Sequence, residues 1–170
     1  MLNAYFGRAC EPILEQGGTV SKFIGDAIMA MFGSPVPYSD HARRAVVAAL
    51  GMKKVADGFQ SWMTQRFGER GLSEFRIGIG VHTGEAVVGD IGSSKRTEFT
   101  AIGDTVNTAS RLEGKTKDLG WTIVASEATI RSARPEVLTG GKATVSVKGR
   151  TGQVEVHEVI GWDEGKGGTP

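Results

Sequence analysis

Only one cysteine, Cys10, occurs in the 170 residues, so no disulfide can close within the chain and no cysteine cage for zinc can be built. That usage fits a reducing, cytoplasmic setting. Charge of one sign is lacking as well. Lysine and arginine together number 20 against 19 aspartates and glutamates, a net +1, so no whole-chain field draws the protein to nucleic acid or a membrane surface. No apolar run approaches the roughly 18 residues of a spanning helix. The opening Met1-Leu2-Asn3-Ala4-Tyr5-Phe6 also lacks the basic-then-apolar order of a secretion signal. Neither a nucleic-acid nor a membrane partner is expected for this segment.

What is present is an ordinary globular composition, 39% hydrophobic and 23% charged. The length suits one domain with a sizeable core, expected over residues 1–162. The Gly-rich end, 163–170, reads as a disordered tail. The 25 glycines are scattered, which points to many tight turns rather than a linker. Residues 2–16 predict a helix closed by Gly17-Gly18, with Pro12 expected to kink it or delay its start. Two β-branched, apolar runs, 19–24 and 27–32, flank Gly25-Asp26 and predict a hairpin. Ser39-Asp40 is placed to cap a long helix. Its apolar positions Ala42, Ala45, Val46, Ala49, Met52, Ala56, Phe59 and Met63 step by three and four, and Gly68 and Gly71 end it. Residues 75–81 and 85–91 read as a second strand pair turning at Thr83-Gly84, with 95–102 a third strand. A helix over about 105–117 follows, then a strand at 121–125, a short helix after Ser126 and strands near 142–147 and 154–159. Helices and strands mix without strict alternation, so the expected class is α+β with helices on one sheet face.

Three constellations bear on chemistry. In Lys22-Phe23-Ile24-Gly25-Asp26 a lysine lies inside an apolar strand, which is costly without a partner. On spacing alone the pair reads first as an edge-strand guard and a turn former; a functional pair is the alternative. In the segment from Glu98 to Arg111, Asn107 and Arg111 are four apart on a helix and share a face. They lie in its first two turns, where free N–H groups and the helix dipole favour an anion. A neutral amide and a forked, always-charged guanidinium suit a phosphoryl group. A solvated polar face capped by Asp104 is the equal alternative. The third, Gly78-Ile79-Gly80-Val81-His82-Thr83-Gly84, fits neither the dinucleotide nor the P-loop spacing. His82 reads as structural, since no second His or Cys sits at ligand spacing.

Together these segments resemble class III adenylyl/guanylyl cyclase catalytic domains. The resemblance rests on Lys22-Phe-Ile-Gly-Asp26-Ala-Ile-Met-Ala-Met-Phe32, Ile79-Gly-Val-His-Thr-Gly84, Ile102-Gly-Asp-Thr-Val-Asn-Thr-Ala-Ser-Arg111-Leu-Glu, and the closing Val147-Lys148-Gly149-Arg150 with Val154-Glu-Val-His-Glu-Val159. It runs in order from about residue 2 to 160. It implies a ferredoxin-like antiparallel sheet core and the conversion of ATP to cyclic AMP and pyrophosphate. Lys22 matches the lysine that reads the purine, and Thr100 its partner, in the form found in the bicarbonate-responsive subgroup. Asp26 matches one of two metal-binding aspartates. Asn107 and Arg111 match the pair that positions the ribose and steadies charge on the α-phosphate, and Lys148 a lysine near the β- and γ-phosphates. The resemblance further implies two Mg²⁺ or Mn²⁺ ions per site, a homodimer with composite sites and a regulatory domain elsewhere in the full-length protein.

Two features depart from that pattern. The family's other metal aspartate sits in a Phe-x-Asp-Ile segment that is not found, as though the chain began at the following helix. Glu85 also stands where some relatives carry a triphosphate-holding Arg. Two other readings remain: a guanylyl cyclase, against which the Lys22/Thr100 pair argues, and a catalytically silent nucleotide-binding or dimerisation module, against which the presence of Lys22, Asp26, Asn107 and Arg111 argues.

Overall fold

The computed structural model describes residues 2–68, 74–146, 152–163 and 165. Helix α1 (Leu2–Glu15) ends as its glycines dictate. Gly18 N–H donates to the Ile13 carbonyl at 2.8 Å and Gly17 N–H to Leu14 at 2.9 Å, with Gly17 at φ +70°. This is the Schellman closure, whose left-handed residue costs glycine nothing. Pro12 neither delays nor ends the helix, which runs through it.

Strands β1 (Thr19–Ile24) and β2 (Ala27–Met31) form the expected hairpin, with Ile24 opposite Ala27 across Gly25-Asp26. Their register shifts between Val20 and Lys22, so Ser21 is the extra residue of a bulge. Helix α2 (His41–Phe67) follows, and its buried residues keep the expected stripe, from Ala42, Val46 and Ala49 through Ala56 and Phe59 to Met63. Asp40 occupies the cap position without capping, because its carboxylate is taken by Arg44 Nε at 2.8 Å.

The second strand pair is corrected. Strand β3 (Ile79–Val81) does not turn back onto the next strand; it pairs in parallel with β6 (Ile123–Ser126). Instead β4 (Val87–Ser93) and β5 (Arg96–Ile102) form a hairpin through Ser94-Lys95. The alternation along 75–91 could not reveal this, because pairing partners are a tertiary choice. Helix α3 (Asp104–Leu119) begins with Gly103 at the cap position, so Asp104 lies in the first turn rather than capping it. Ser126 caps helix α4 (Glu127–Ala133), accepting from Thr129 N–H. Strands β7 (Val137–Ser146) and β8 (Gln153–Trp162) complete a mixed four-stranded sheet in the order β3-β6-β8-β7.

The fold is α+β, and its strand pairs are antiparallel except β3 with β6. Helices cover both faces of the larger sheet rather than one. Ile123 and Ala125 of β6 cluster with Ala42, Val46 and Ala49 of α2 and Ile130 and Ala133 of α4. Val124, pointing the other way, clusters with Leu112 of α3 and Val156 of β8. A strand buried at all four residues needs both faces covered. A further cluster joins α1 to α2, where the Tyr5 ring lies 5.7 Å from Phe59 and 4.9 Å from Phe75, edge-on to the latter.

Two outcomes follow from this packing. Gly80 lets β3 lie directly against the α3 backbone, and a Cβ there would collide with the Ala109 carbonyl and the Glu113 amide. Neither is a side chain that can swing away. Gly80→Ala should therefore lower unfolding stability by about 2–3 kcal/mol in urea titrations. Burial among the rings pushes the Tyr5 phenol from 10.0 up to about 12, with Cys10 adding to the rise. The folded state thus keeps a proton that the unfolded chain releases near 10. This contribution to stability is complete below that pH and is lost as pH climbs toward about 12. Tyr5→Phe should flatten that loss, measured as the urea midpoint from neutral to alkaline pH.

Candidate active site

Strand β1 meets β5 at the residues singled out in the sequence. Lys22 Nζ lies 2.6 Å from Glu98 Oε2, an ion pair between side chains 27% and 46% exposed. The Lys22 ammonium, mainly by donating a hydrogen bond, holds the Glu98 carboxyl below the usual carboxylate range. Beside it, Ser21 Oγ donates to the Phe99 carbonyl at 3.2 Å and lies 3.0 Å from Thr100 Oγ1. Thr100 is buried. Lys22 and Thr100, 78 positions apart in the chain, are therefore neighbours through Ser21. Ser21 and Glu98 were not picked out as site residues. The available signal was period two: Glu98 shares a strand face with Thr100.

Helix α3 presents the second group. Its Thr108, Leu112 and Thr116 are buried, which turns exposed Asn107 and half-buried Arg111 toward the side of the helix. Neither side chain makes a hydrogen bond or ion pair among the described residues, so both are available to a ligand. The start of α3 is tied to the loop after β3 by Thr105, whose hydroxyl donates to the Glu85 carbonyl. That loop is held in turn from α4. His82 Nδ1 lies 2.8 Å from Ser126 Oγ, Thr83 Oγ1 lies 3.1 Å from Thr129 Oγ1, and Thr129 donates to the Val81 carbonyl at 3.3 Å. His82 is structural, as the sequence suggested. An open groove of about 470 Å³ runs beside the start of α3, lined by Glu85, Ala86, Val87, Ile102 and Gly103.

Asp26 stands exposed at the β1–β2 turn, likewise without a hydrogen bond or ion pair among the described residues. A free carboxylate at a hairpin tip suits Mg²⁺ or Mn²⁺, which take one or two protein carboxylates and fill the remaining positions with water and phosphate oxygens. Asp26 is not part of any group of three or more ligating side chains among the described residues; that grouping occurs at Glu127, Glu155 and His157. Lys148 lies outside the described residues. Among the described residues no helix is long and apolar enough to cross a membrane.

Comparison with known proteins places this geometry. The family described as "Adenylate and Guanylate cyclase catalytic domain" matches residues 1–161. Adenylate cyclase 1 of Rhizobium meliloti (strain 1021) is 40% identical over 161 residues, covering 95% of this chain and 24% of that protein. The adenylate cyclase of Anabaena cylindrica is 37% identical, covering 93% and 31%. The chain thus spans about a quarter to a third of these relatives' length. Among solved structures, the guanylyl cyclase Cya2 superposes with TM-score 0.85 at 35% identity, covering 98% of this chain and 81% of that one. The adenylyl cyclase CyaB from P. aeruginosa superposes with TM-score 0.79 at 28% identity, covering 96% and 82%. The chain belongs to the adenylate and guanylate cyclase catalytic domain family.

Proposed function

We propose that this domain is an adenylyl cyclase, converting ATP to 3′,5′-cyclic AMP and pyrophosphate at sites composed across a homodimer. The observation that carries the reading is the poise of Lys22 on Glu98, with its chain neighbour Ser21 on Thr100. Adenine offers an acceptor, N1, on the edge where guanine offers N–H donors. A lysine ammonium has donors only, so it complements adenine. Glu98 holds the ammonium in place until a base arrives, and the Ser21–Thr100 contact keeps β5 against β1, so Thr100 acts on purine choice through position.

The reaction forms a bond from the ribose 3′ oxygen to the α-phosphorus and breaks the bond to pyrophosphate. It is intramolecular, so holding the ribose and the phosphate in line supplies much of the rate. Asn107 orients the ribose through its amide. Arg111, with five fixed donors, meets the charge that develops on the α-phosphate. Both stand in the first two turns of α3, where the helix dipole adds to the field. Asp26 would hold a Mg²⁺ or Mn²⁺ ion, whose chemistry when bound is to acidify the 3′ hydroxyl and neutralise the departing phosphates. In this reading Lys22, Thr100, Asn107 and Arg111 act in one site and Asp26 serves the site shared with the second copy. Support for a second copy comes from the apolar side chains that the hairpins leave uncovered: Phe23 and Ile24 on β1, Val87 on β4 and Ile102 on β5 are each at least half exposed.

The likeness to a guanylyl cyclase gives the second reading its support. Cyclic AMP and cyclic GMP formation, assayed side by side in the intact protein, separates the two. Wild type should prefer ATP. Lys22→Glu combined with Thr100→Ala should lower ATP turnover and raise relative GTP turnover, because a carboxylate accepts from guanine N1–H and N2–H. An unchanged ATP preference overturns the base assignment, and a wild-type preference for GTP makes the domain a guanylyl cyclase. Asn107→Ala or Arg111→Ala should each cut kcat by about 10²-fold with a smaller change in KM. A rise in KM alone would reduce them to ground-state binding residues.

A further inference from the structure

Away from β1, β5 and the start of α3, the register of the larger sheet builds a second cluster. Glu155 and His157 are two apart on β8 and share a face. His157 pairs with Ala125 of β6, and β6 runs straight on into α4, whose first residue is Glu127. Strand pairing and helix start thus bring three ligating groups together from separate parts of the chain. His157 Nε2 lies 2.6 Å from Glu127 Oε2 and 3.7 Å from Glu155 Oε1, and the three ligand atoms lie within 4.8 Å of one another.

We propose that Glu127, Glu155 and His157 form a site for a divalent transition metal, with Zn²⁺ the ion that the donor set suits. One imidazole nitrogen and two carboxylate oxygens make three protein ligands, leaving a fourth position for water. Zinc bonds of about 2.0–2.2 Å put tetrahedral donors about 3.4 Å apart, so the 2.6 Å pair must open, the 3.7 Å pair is already near that spacing, and no pair needs to close by more than about 1.4 Å. The imidazole is 8% exposed, and one nitrogen carries at most one hydrogen. It therefore bonds only one of the two carboxylates that converge on it, Glu127, while Glu155 leans on exposed Lys142, and a single dication could engage both.

The surroundings are compatible with that charge. Arg131 Nε bonds Glu127 Oε1 at 2.8 Å, leaving Oε2 directed at the imidazole. That bond can persist with metal bound and fixes the carboxylate as an outer partner does. Lys142 holds Glu155 Oε1 at 2.8 Å but is 57% exposed, so its ammonium can swing into water as the ion enters. A bound ion would clip the first turn of α4 to β8. None of the three ligands is used by the nucleotide reading, so the two proposals stand or fall separately.

The test is calorimetric titration of the 170-residue protein with Zn²⁺, together with the visible absorption of Co²⁺ as a spectroscopic probe. One equivalent should bind, and Co²⁺ should show the bands of a low-coordinate nitrogen and oxygen site. His157→Gln should abolish binding. Glu155→Gln, at a half-exposed position that tolerates the change, should weaken it at least about tenfold. His41→Gln, at a histidine outside the cluster, should leave it unchanged. Absence of binding, affinity unaltered in the Glu155 variant, or binding lost with His41 would each overturn the site.

Discussion

The burial of β6 on both faces is the constraint on which the rest of the structure depends. Four residues, Ile123 to Ser126, are buried together. Their side chains alternate, so α2 and α4 must cover one face and α3 the other. Covering the second face brings α3 across β3 as well, and the absence of a side chain at Gly80, and at Gly78 beside Thr116, permits that approach. Large burial at one short strand thereby fixes where the helix that carries Asn107 and Arg111 sits. Its two apolar clusters each exclude several whole side chains from water, at roughly 1.5–3 kcal/mol apiece.

From the same strand the order spreads through polar contacts. Ser126 ends β6, caps α4 and holds His82. The loop after His82 is joined through Glu85 to Thr105 and so to the start of α3. The Ser126 links satisfy polar groups that would otherwise be costly to bury, whereas the Thr105–Glu85 bond lies at the surface. The helix that carries Asn107 and Arg111 is therefore anchored at its first turn, while the two side chains remain unengaged. Satisfied support beneath unengaged polar side chains is the arrangement that a preorganised site requires.

The contact between β1 and β5 obeys a different economy. Among the described residues the β1–β2 and β4–β5 hairpins join no larger sheet, and several of their apolar side chains face outward. They touch each other through Ser21, Lys22, Glu98 and Thr100, a patch of polar contacts with little apolar burial. The bulge at Ser21 places its hydroxyl at Thr100. Exposed ion pairs such as Lys22–Glu98 contribute little to stability, so the contact is better understood as orienting the lysine than as holding the fold.

Much of this was legible in the amino-acid order because the signals are local. The Gly17-Gly18 stop, the β1–β2 hairpin, the stripe of α2, the start of α4 and the pairing of Asn107 with Arg111 on one helix face all depend on residues within a few positions of one another. The motif segments sufficed to bring the chain to its family. Strand partnership was not legible: 75–91 alternates as a hairpin would, yet β3 pairs with β6 across more than 40 residues. Nor was the second helical cover of the sheet, because β6 is too short and too uniformly apolar to say which neighbour takes which face. The engagement of Lys22 by Glu98, of Thr100 by Ser21 and of His157 by two carboxylates likewise came only with the tertiary structure. A side chain's type sets what it can bond, whereas packing over long chain separations decides which partner stands within reach.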